Sequence, residues 1–255
     1  MKLLLRAPHQ KYFTKDGVQR VGVTTVLNVF AKDAIPPWYA AMERDGIVEM
    51  VKRLGAITYE GLVASLPQDT NGKPRWFAIT KRDTAADLGT VAHAHIEAKQ
   101  IGETLDRDGL DPKMYEDALI PAGRFFGWVE RERVTLVAAE KQMVSEHWQV
   151  GGTGDGFWRG PDGKLEYWDV KTSKPWKDGH PYDEQIAQSA AYADFYEELE
   201  GEHVERIRIA RVGKTLSDEG DLFPLTDAMR ACGMILFRDA VSSYNIKQQL
   251  GRMFK

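Results

Sequence analysis

Two aspartates and a lysine in the stretch Gly151-Gly-Thr-Gly-Asp-Gly-Phe-Trp-Arg-Gly-Pro-Asp-Gly-Lys-Leu-Glu-Tyr-Trp-Asp-Val-Lys-Thr-Ser-Lys174 are spaced so that a hairpin would gather them. Gly160-Pro-Asp-Gly163 carries proline where a type I turn takes it and glycine where the chain must turn left-handed. That pattern predicts a three-residue loop, Pro161 to Gly163, with a bulge at the glycine. Closing the hairpin there sets Gly160 against Lys164 and Asp155 against Asp169. Directly opposed residues on one sheet face have Cβ atoms about 4.5–5.5 Å apart. Like charges so placed destabilise the pair unless something lies between them. Lys171, two residues beyond Asp169, projects from the same face. A carboxylate pair with a lysine beside it suits a hard divalent cation and an activated water. Asp-x-Lys is common by chance, so the weight rests on the register. A slip of one residue would set Asp155 opposite Trp168 and take it to the other face.

The flanking segments must hold this hairpin. Thr135 to Ser145 reads as a strand leading into it, with Glu140 preceded by the apolar Val137-Ala-Ala139, an unusual setting for a surface glutamate. Upstream, Asp83 is placed to open a helix from Thr84 to about Gln100, with Leu88, Val91, Ala92 and Ile96 as its buried stripe. Gly89, His93 and Glu97 make a second face, where the glycine lets another backbone approach. The His–Glu pair reads equally as an ordinary i,i+4 contact. Downstream, Tyr182 to Leu199 is a helix with Gln185, Gln188, Tyr192 and Phe195 along one side, and Val204 to Val212 is a strand with alternating Ile207 and Ile209.

Elsewhere, Lys11-Tyr-Phe-Thr14 and Val18-Gln-Arg-Val21 flank Lys15-Asp-Gly17 as a small hairpin. Thr24 or Thr25 would cap a helix to about Lys32, ended by Pro36-Pro37, and Trp38 to Leu54 is a second helix containing Gly46. Met114 to Arg133 is an amphipathic helix whose Arg124, Arg131 and Arg133 read as a solvated face. Lys174-Pro-Trp-Lys177 interleaves cations with an aromatic ring, suited to a backbone phosphate and a stacked base or to an ordinary polar loop. Thr226 to Leu250 closes the chain as a largely apolar helix. Strand, hairpin, helix, strand, helix is an α/β layer pattern, with a mostly helical lobe over residues 1–115 carrying His93 and a core over 116–255.

The 255-residue chain is 43% apolar and 28% charged, as soluble globular proteins are. No run approaches 18 uninterrupted apolar residues, and the start Met1-Lys-Leu-Leu-Leu-Arg6 is too short in apolar residues for a signal peptide. The single cysteine, Cys232, rules out intramolecular disulfides and a cysteine-held iron–sulfur cluster. These features point to the cytoplasm. A net charge of −4 argues against a nonspecific nucleic-acid coat and leaves room for a local basic groove.

Taken together, Gly89-Thr-Val-Ala-His93 with Glu97, Glu140, Gly152-x-x-Asp155, Asp169-Val-Lys-Thr172 and Gln188-x-x-x-Tyr192 resemble the PD-(D/E)XK nuclease superfamily, in its RecB-like exonuclease branch as found in phages. Val23-Thr-Thr-Val26 with Pro37-Trp38 resembles the N-terminal segment of phage and mitochondrial genome-maintenance members. Each motif alone is weak, and the order and spacing of the set carry the likeness over nearly the whole chain. Gly154 stands where the superfamily's name has proline, and the cysteines that hold a cluster in some relatives are absent. The resemblance implies a central mixed sheet flanked by helices and a metal-dependent DNA exonuclease of recombination, repair or end processing. It further implies that Asp155, Asp169, the Val170 carbonyl and His93 bind Mg²⁺ or Mn²⁺, and that Lys171 orients and helps deprotonate the attacking water. Glu140 would support the site or bind a second metal. Gln188 and Tyr192 would line the DNA channel, with Thr172, Lys174 and Lys177 as further DNA contacts. Without a helicase motif, unwinding would come from a partner, and a recombinase, annealing protein or helicase would be such a partner. An endonuclease on the same fold and a non-catalytic DNA-binding protein are the alternatives. The intact Asp155, Asp169 and Lys171 speak against the last.

Overall fold

A computed structural model describes residues 2–3, 11–30, 35–55, 58–69, 71–73 and 75–254. In chain order these form β1 (Lys2–Leu3), β2 (Tyr12–Phe13), β3 (Gln19–Gly22), α1 (Val23–Leu27), α2 (Ile35–Leu54), α3 (Tyr59–Ala64) and α4 (Phe77–Gln100). There follow β4 (Thr104–Leu105), α5 (Pro112–Glu132), β5 (Thr135–Ser145), β6 (Val150–Arg159), β7 (Leu165–Thr172), α6 (Asp183–Glu200), β8 (Arg206–Val212), β9 (Asp221–Pro224) and α7 (Asp227–Met253). The chain divides into two compact units, residues 1–30 with 91–255 and residues 31–90.

The smaller unit holds α2, α3 and the first half of α4. Glu43 on α2 accepts the Ala78 N–H at 3.1 Å. This tertiary cap lets α4 begin at Phe77, well before Asp83, which pairs with Arg75 instead. The prolines expected to end a helix lie in the first turn of α2, where a missing N–H costs nothing. Lys32, the expected end of the preceding helix, lies outside the described residues. What is described there is a shorter α1, entered from Gly22 without a side-chain cap.

In the larger unit a seven-stranded mixed sheet runs β2-β3-β6-β7-β8-β9, with β5 along the other edge of β6. The central hairpin closes as its turn chemistry predicts. Gly160 N–H donates to the Lys164 carbonyl at 2.9 Å, Gly163 takes φ 80°, and Gly156 pairs with Trp168. β7 and β8 are parallel, joined by α6. Strand alternation splits the core. Phe157, Leu165, Tyr167 and Ile207 face α1, α6 and α7, while Trp158, Trp168, Val170, Ala210 and Val212 face α5 and the end of α4. Phe157 stacks on Tyr196 of α6 at 4.0 Å, and Trp168 meets Phe125 of α5 edge-on at 6.0 Å. Each such buried aromatic contributes about 1.5–3 kcal/mol.

One acid lies inside the α5 layer. Glu166, 1% exposed, is held by Arg206 at 2.8 Å and Arg208 at 3.0 Å and accepts from the Trp168 indole at 3.0 Å. Both arginines stand on β8, and Arg208 also reaches Glu132 of α5 at 2.7 Å, so the buried charge is compensated from the neighbouring strand. Arg124, expected on a solvated face, instead holds the Gly213 and Leu216 carbonyls at 3.0 and 2.9 Å.

The glycines of β6 have a packing reason. A Cβ on Gly151 would lie 2.3 Å from the Tyr12 side chain, and one on Gly152 would lie 2.2 Å from the Tyr192 ring. Aromatic rings rest directly on the strand backbone at both places.

Candidate active site

The site forms where strand pairing divides. β5 runs along one edge of β6 for its full length. The other edge is shared, paired with β3 at Val150 and Gly151 and with β7 from Gly156 to Arg159. The β6–β7 ladder ends at Gly156 and Trp168, and β7 continues beside β8 alone. Asp155 and Asp169 therefore face each other just past the last pair, as the register requires. Asp155 closes the gap by accepting the Val170 N–H at 2.6 Å.

Lys171 Nζ lies 2.6 Å from Asp169 Oδ2, and the Tyr167 hydroxyl donates to Asp169 Oδ1 at 3.1 Å. Asp169 is 1% exposed, and its Oδ2 makes only this ion contact, with no aligned hydrogen-bond donor among the described residues. Burial raises the pKa of both aspartates, with Lys171 opposing. Burial works to lower the Lys171 pKa, but Asp169 and Asp155 outweigh it and hold the ammonium protonated above its ordinary range.

His93 enters from the part of α4 that belongs to the larger unit. Its Nδ1 is 4.0 Å from Asp155 Oδ1. Burial and then the Lys171 charge push its pKa down to about 4, so the imidazole is neutral near pH 7. Its N–H is taken by the Val170 carbonyl, which leaves the second nitrogen with a free lone pair. That contact occupies one lone pair of the carbonyl that the sequence reading assigned to a metal.

Glu140 supplies the fourth element. A bulge between Leu136 and Ala138 shifts the β5 register by one. Ala139 then pairs with Gly156 and Lys141 with Gly154, and Glu140 stands across from Asp155. Its φ is +44°, a left-handed conformation uncommon outside glycine. Ligand atoms of His93, Glu140 and Asp155 all lie within 4.8 Å of one another. The Glu140, Asp155 and Asp169 carboxylates and a neutral imidazole make a donor set that fits a hard divalent cation.

No protein-family model and no curated protein matches this chain. Similar solved structures include one named "Putative exonuclease" from Eubacterium rectale, at 15% identity and TM-score 0.43 over 69% of this chain and 76% of that one. Another is the alkaline exonuclease LHK-Exo from Laribacter hongkongensis, at 12% identity and TM-score 0.32 over 66% of this chain and 91% of that one. LHK-Exo in complex with dAMP gives 13% and 0.33, over 67% and 92%. At these values the likenesses carry no argument about activity.

The remaining expected contacts are distributed unevenly. Gln188 donates to the Tyr192 hydroxyl at 3.3 Å, and Tyr192 is only 4% exposed with its ring on Gly152. Its contact is with the strand and not with solvent. Lys174 and Lys177 are exposed, and the Thr172 hydroxyl is buried. Trp176 corrects the stacking expectation for its loop. It is 5% exposed, donates to Gln185 Oε1 at 3.0 Å and packs edge-on against Phe223. Glu97 is buried at 6% exposure. Tyr167 was missed, although its place two residues before Asp169 on the same strand face is legible from period-two alternation.

Proposed function

We propose that this chain is a metal-dependent deoxyribonuclease that hydrolyses phosphodiester bonds from DNA ends. One observation carries this: His93, Glu140 and Asp155 converge from three elements beside the Asp169–Lys171 pair at the fork between β6 and β7. His93, Glu140, Asp155 and Asp169 would hold Mg²⁺ or Mn²⁺, which supplies charge neutralisation at the scissile phosphate and a more acidic water. Lys171 orients that water. With the carboxylate charge taken up, the burial that lowers the lysine's pKa is what remains, which would favour the neutral amine, the form able to accept a proton from the water. Tyr167 and the Val170 N–H fix the two aspartates, so little reorganisation precedes the reaction.

The test uses linear and covalently closed circular DNA, single- and double-stranded, with Mg²⁺, Mn²⁺ or EDTA. Linear substrates should be degraded with either metal, closed circles should largely survive, and EDTA should stop the reaction. Rapid nicking of circles at equal enzyme would make it an endonuclease. Binding without cleavage under every metal condition would overturn the catalytic assignment.

A further inference from the structure

We propose that Trp76, with Lys73 beside it, docks single-stranded DNA on the smaller unit, the indole stacking on an unpaired base and the lysine meeting a backbone phosphate. This rests on the function proposed above and names the form of DNA that residues 31–90 hold.

Trp76 is 62% exposed, and its indole makes no hydrogen bond, ring contact or cation contact among the described residues. Trp128, Trp158, Trp168 and Trp176 are buried, and Trp148 is half-buried with its N–H on Asp194 at 2.8 Å. The composition suited to stacking occurs twice in the chain, as Lys174-Pro-Trp-Lys177 and as Lys73-Pro-Arg-Trp76. In the first the ring is packed against Phe223; in the second it is left outside.

The backbone around Trp76 is fixed, so the ring is a platform set in place before a ligand arrives. Asp69 Oδ1 accepts the Asn71 and Lys73 N–H groups at 2.8 and 2.9 Å, and Gly72 turns the loop at φ 74°. Arg75 N–H donates to the Pro67 carbonyl at 2.6 Å, and the Trp76 carbonyl accepts the Thr80 N–H at 3.1 Å as α4 begins. With only its side-chain torsions left to order, stacking costs the indole little entropy.

Charge decides what covers the ring. Residues 73–82 carry Lys73, Arg75, Lys81 and Arg82 and no acid. Arg75 is taken by Asp83, whereas Lys73 is exposed and makes no ion pair among the described residues. An exposed aromatic face close to an uncommitted cation matches the alternation of base and phosphate along a single strand, and such stacking tolerates any sequence because every base has a π-face. A duplex keeps its base faces covered by one another, so the ring selects unpaired strand.

The experiment is binding by anisotropy, in Ca²⁺ and over a salt series, of a single-stranded oligonucleotide, an abasic strand of the same length and a blunt duplex. Trp76→Ala should weaken binding of the ordinary single strand by roughly 5- to 150-fold, the worth of one stacked base, and should change the abasic strand and the duplex little. Trp76→Phe should keep most of the affinity. Lys73→Gln should make the plot of log affinity against log salt shallower by about 0.7 for single strands, the value of one lost phosphate contact. Thermal melts confirm that each variant folds. Should Trp76→Ala be unstable, weaker binding of the abasic strand than of the ordinary one by wild type, and a loss of that difference in Trp76→Gln, read the same contact. Equal affinity of Trp76→Ala and wild type for the ordinary strand, or equal losses on the ordinary and abasic strands, would overturn the stacking and leave the nuclease assignment intact if wild type still cuts. Binding of phosphatidylserine vesicles that Trp76→Ala abolishes, with single-strand affinity unchanged, would assign the ring to a lipid surface instead. A wild type that neither binds nor cuts would take down both proposals.

Discussion

Glu140 offers a test that separates backbone strain from metal binding at one position. Its φ of +44° carries a cost for any residue with a Cβ, of about 1–2 kcal/mol. Glu140→Ala and Glu140→Gly delete the same carboxylate, but only glycine removes the strain. Glycine also adds about 0.5–1 kcal/mol of unfolded-state entropy. The difference leaves Glu140→Gly more stable than Glu140→Ala by on the order of 0.5–1 kcal/mol, or roughly 1–4 °C for a chain of this size. In EDTA, Glu140→Gly should melt at or above wild type, because it also relieves the crowding with Asp155. With Mn²⁺ in about hundredfold excess over its dissociation constant, wild type should gain about 2.7 kcal/mol, and both variants clearly less. Melts of the three proteins, in EDTA and across a Mn²⁺ titration, read all of this. If Glu140→Ala melts at or above Glu140→Gly in EDTA, the left-handed conformation is wrong. If both variants gain as much from Mn²⁺ as wild type, Glu140 is no metal ligand.

Lys171→Ala should lower single-turnover cleavage by about 10²–10⁴-fold while DNA binding persists, and near-normal turnover would mean another group handles the water. Asp155→Asn bears on pH. Burial raises the folded aspartate pKa above the ordinary 3.8, so the metal-free native state binds more protons than the unfolded chain between those values. The Asp155 contribution to stability in EDTA should therefore fall as pH rises through that window, so stability should change with pH more favourably in Asp155→Asn than in wild type; identical slopes from pH 4 to 7 would refute the shared buried site. His93 has the opposite sign. With its folded pKa lowered to about 4 from 6.5, its contribution is complete above pH 6.5 and is lost as pH falls towards 4. An NMR titration midpoint for this ring near 6.5 would contradict the enclosure described. Gly152→Ala puts a Cβ 2.2 Å from the Tyr192 ring, so overpacking should cost about 1–3 kcal/mol. Adding Tyr192→Leu should recover part of it, and strictly additive losses would show that the two do not touch.

The turn residues made the site's central pair legible. Pro161 and Gly163 determine the loop, the loop determines the register, and the register brings Asp155 to Asp169. Period-two alternation then carried Lys171 to the same face. What escaped the sequence depends on contacts between distant segments. The conformation of Glu140 follows from a bulge at Val137 that no residue type announces. The start of α4 depends on Glu43, 35 residues away in the chain. Trp176 has the sequence context of an exposed loop aromatic and is buried because Gln185 and Phe223 receive it. The sequence reads no partner for the glycines of β6, and only the fold shows that Tyr12 and Tyr192 approach Gly151 and Gly152.

The buried Glu166 has a bearing on how the chain finds this arrangement. β7 and β8 are parallel neighbours separated by a helix, a pairing that forms slowly because a long loop must close first. Apolar alternation along two strands cannot tell the correct alignment from one displaced by two residues, since both keep every side chain on its own face. Charge can. In the native alignment Glu166 lies opposite Arg206 and one alternation from Arg208, and both guanidiniums reach it. Displacement of β7 by two residues towards its carboxyl end would set Glu166 beside Arg208 and leave Arg206 without that partner. In the other direction the acid would pass beyond the start of β8, with Arg206 one alternation away and Arg208 out of reach. Removing one partner from a buried ion-pair network costs up to about 3–5 kcal/mol, enough to disfavour misaligned intermediates during folding. Glu166→Gln would weaken that discrimination, and slow or heterogeneous refolding of this variant, despite a native-like end state, is the expected trace.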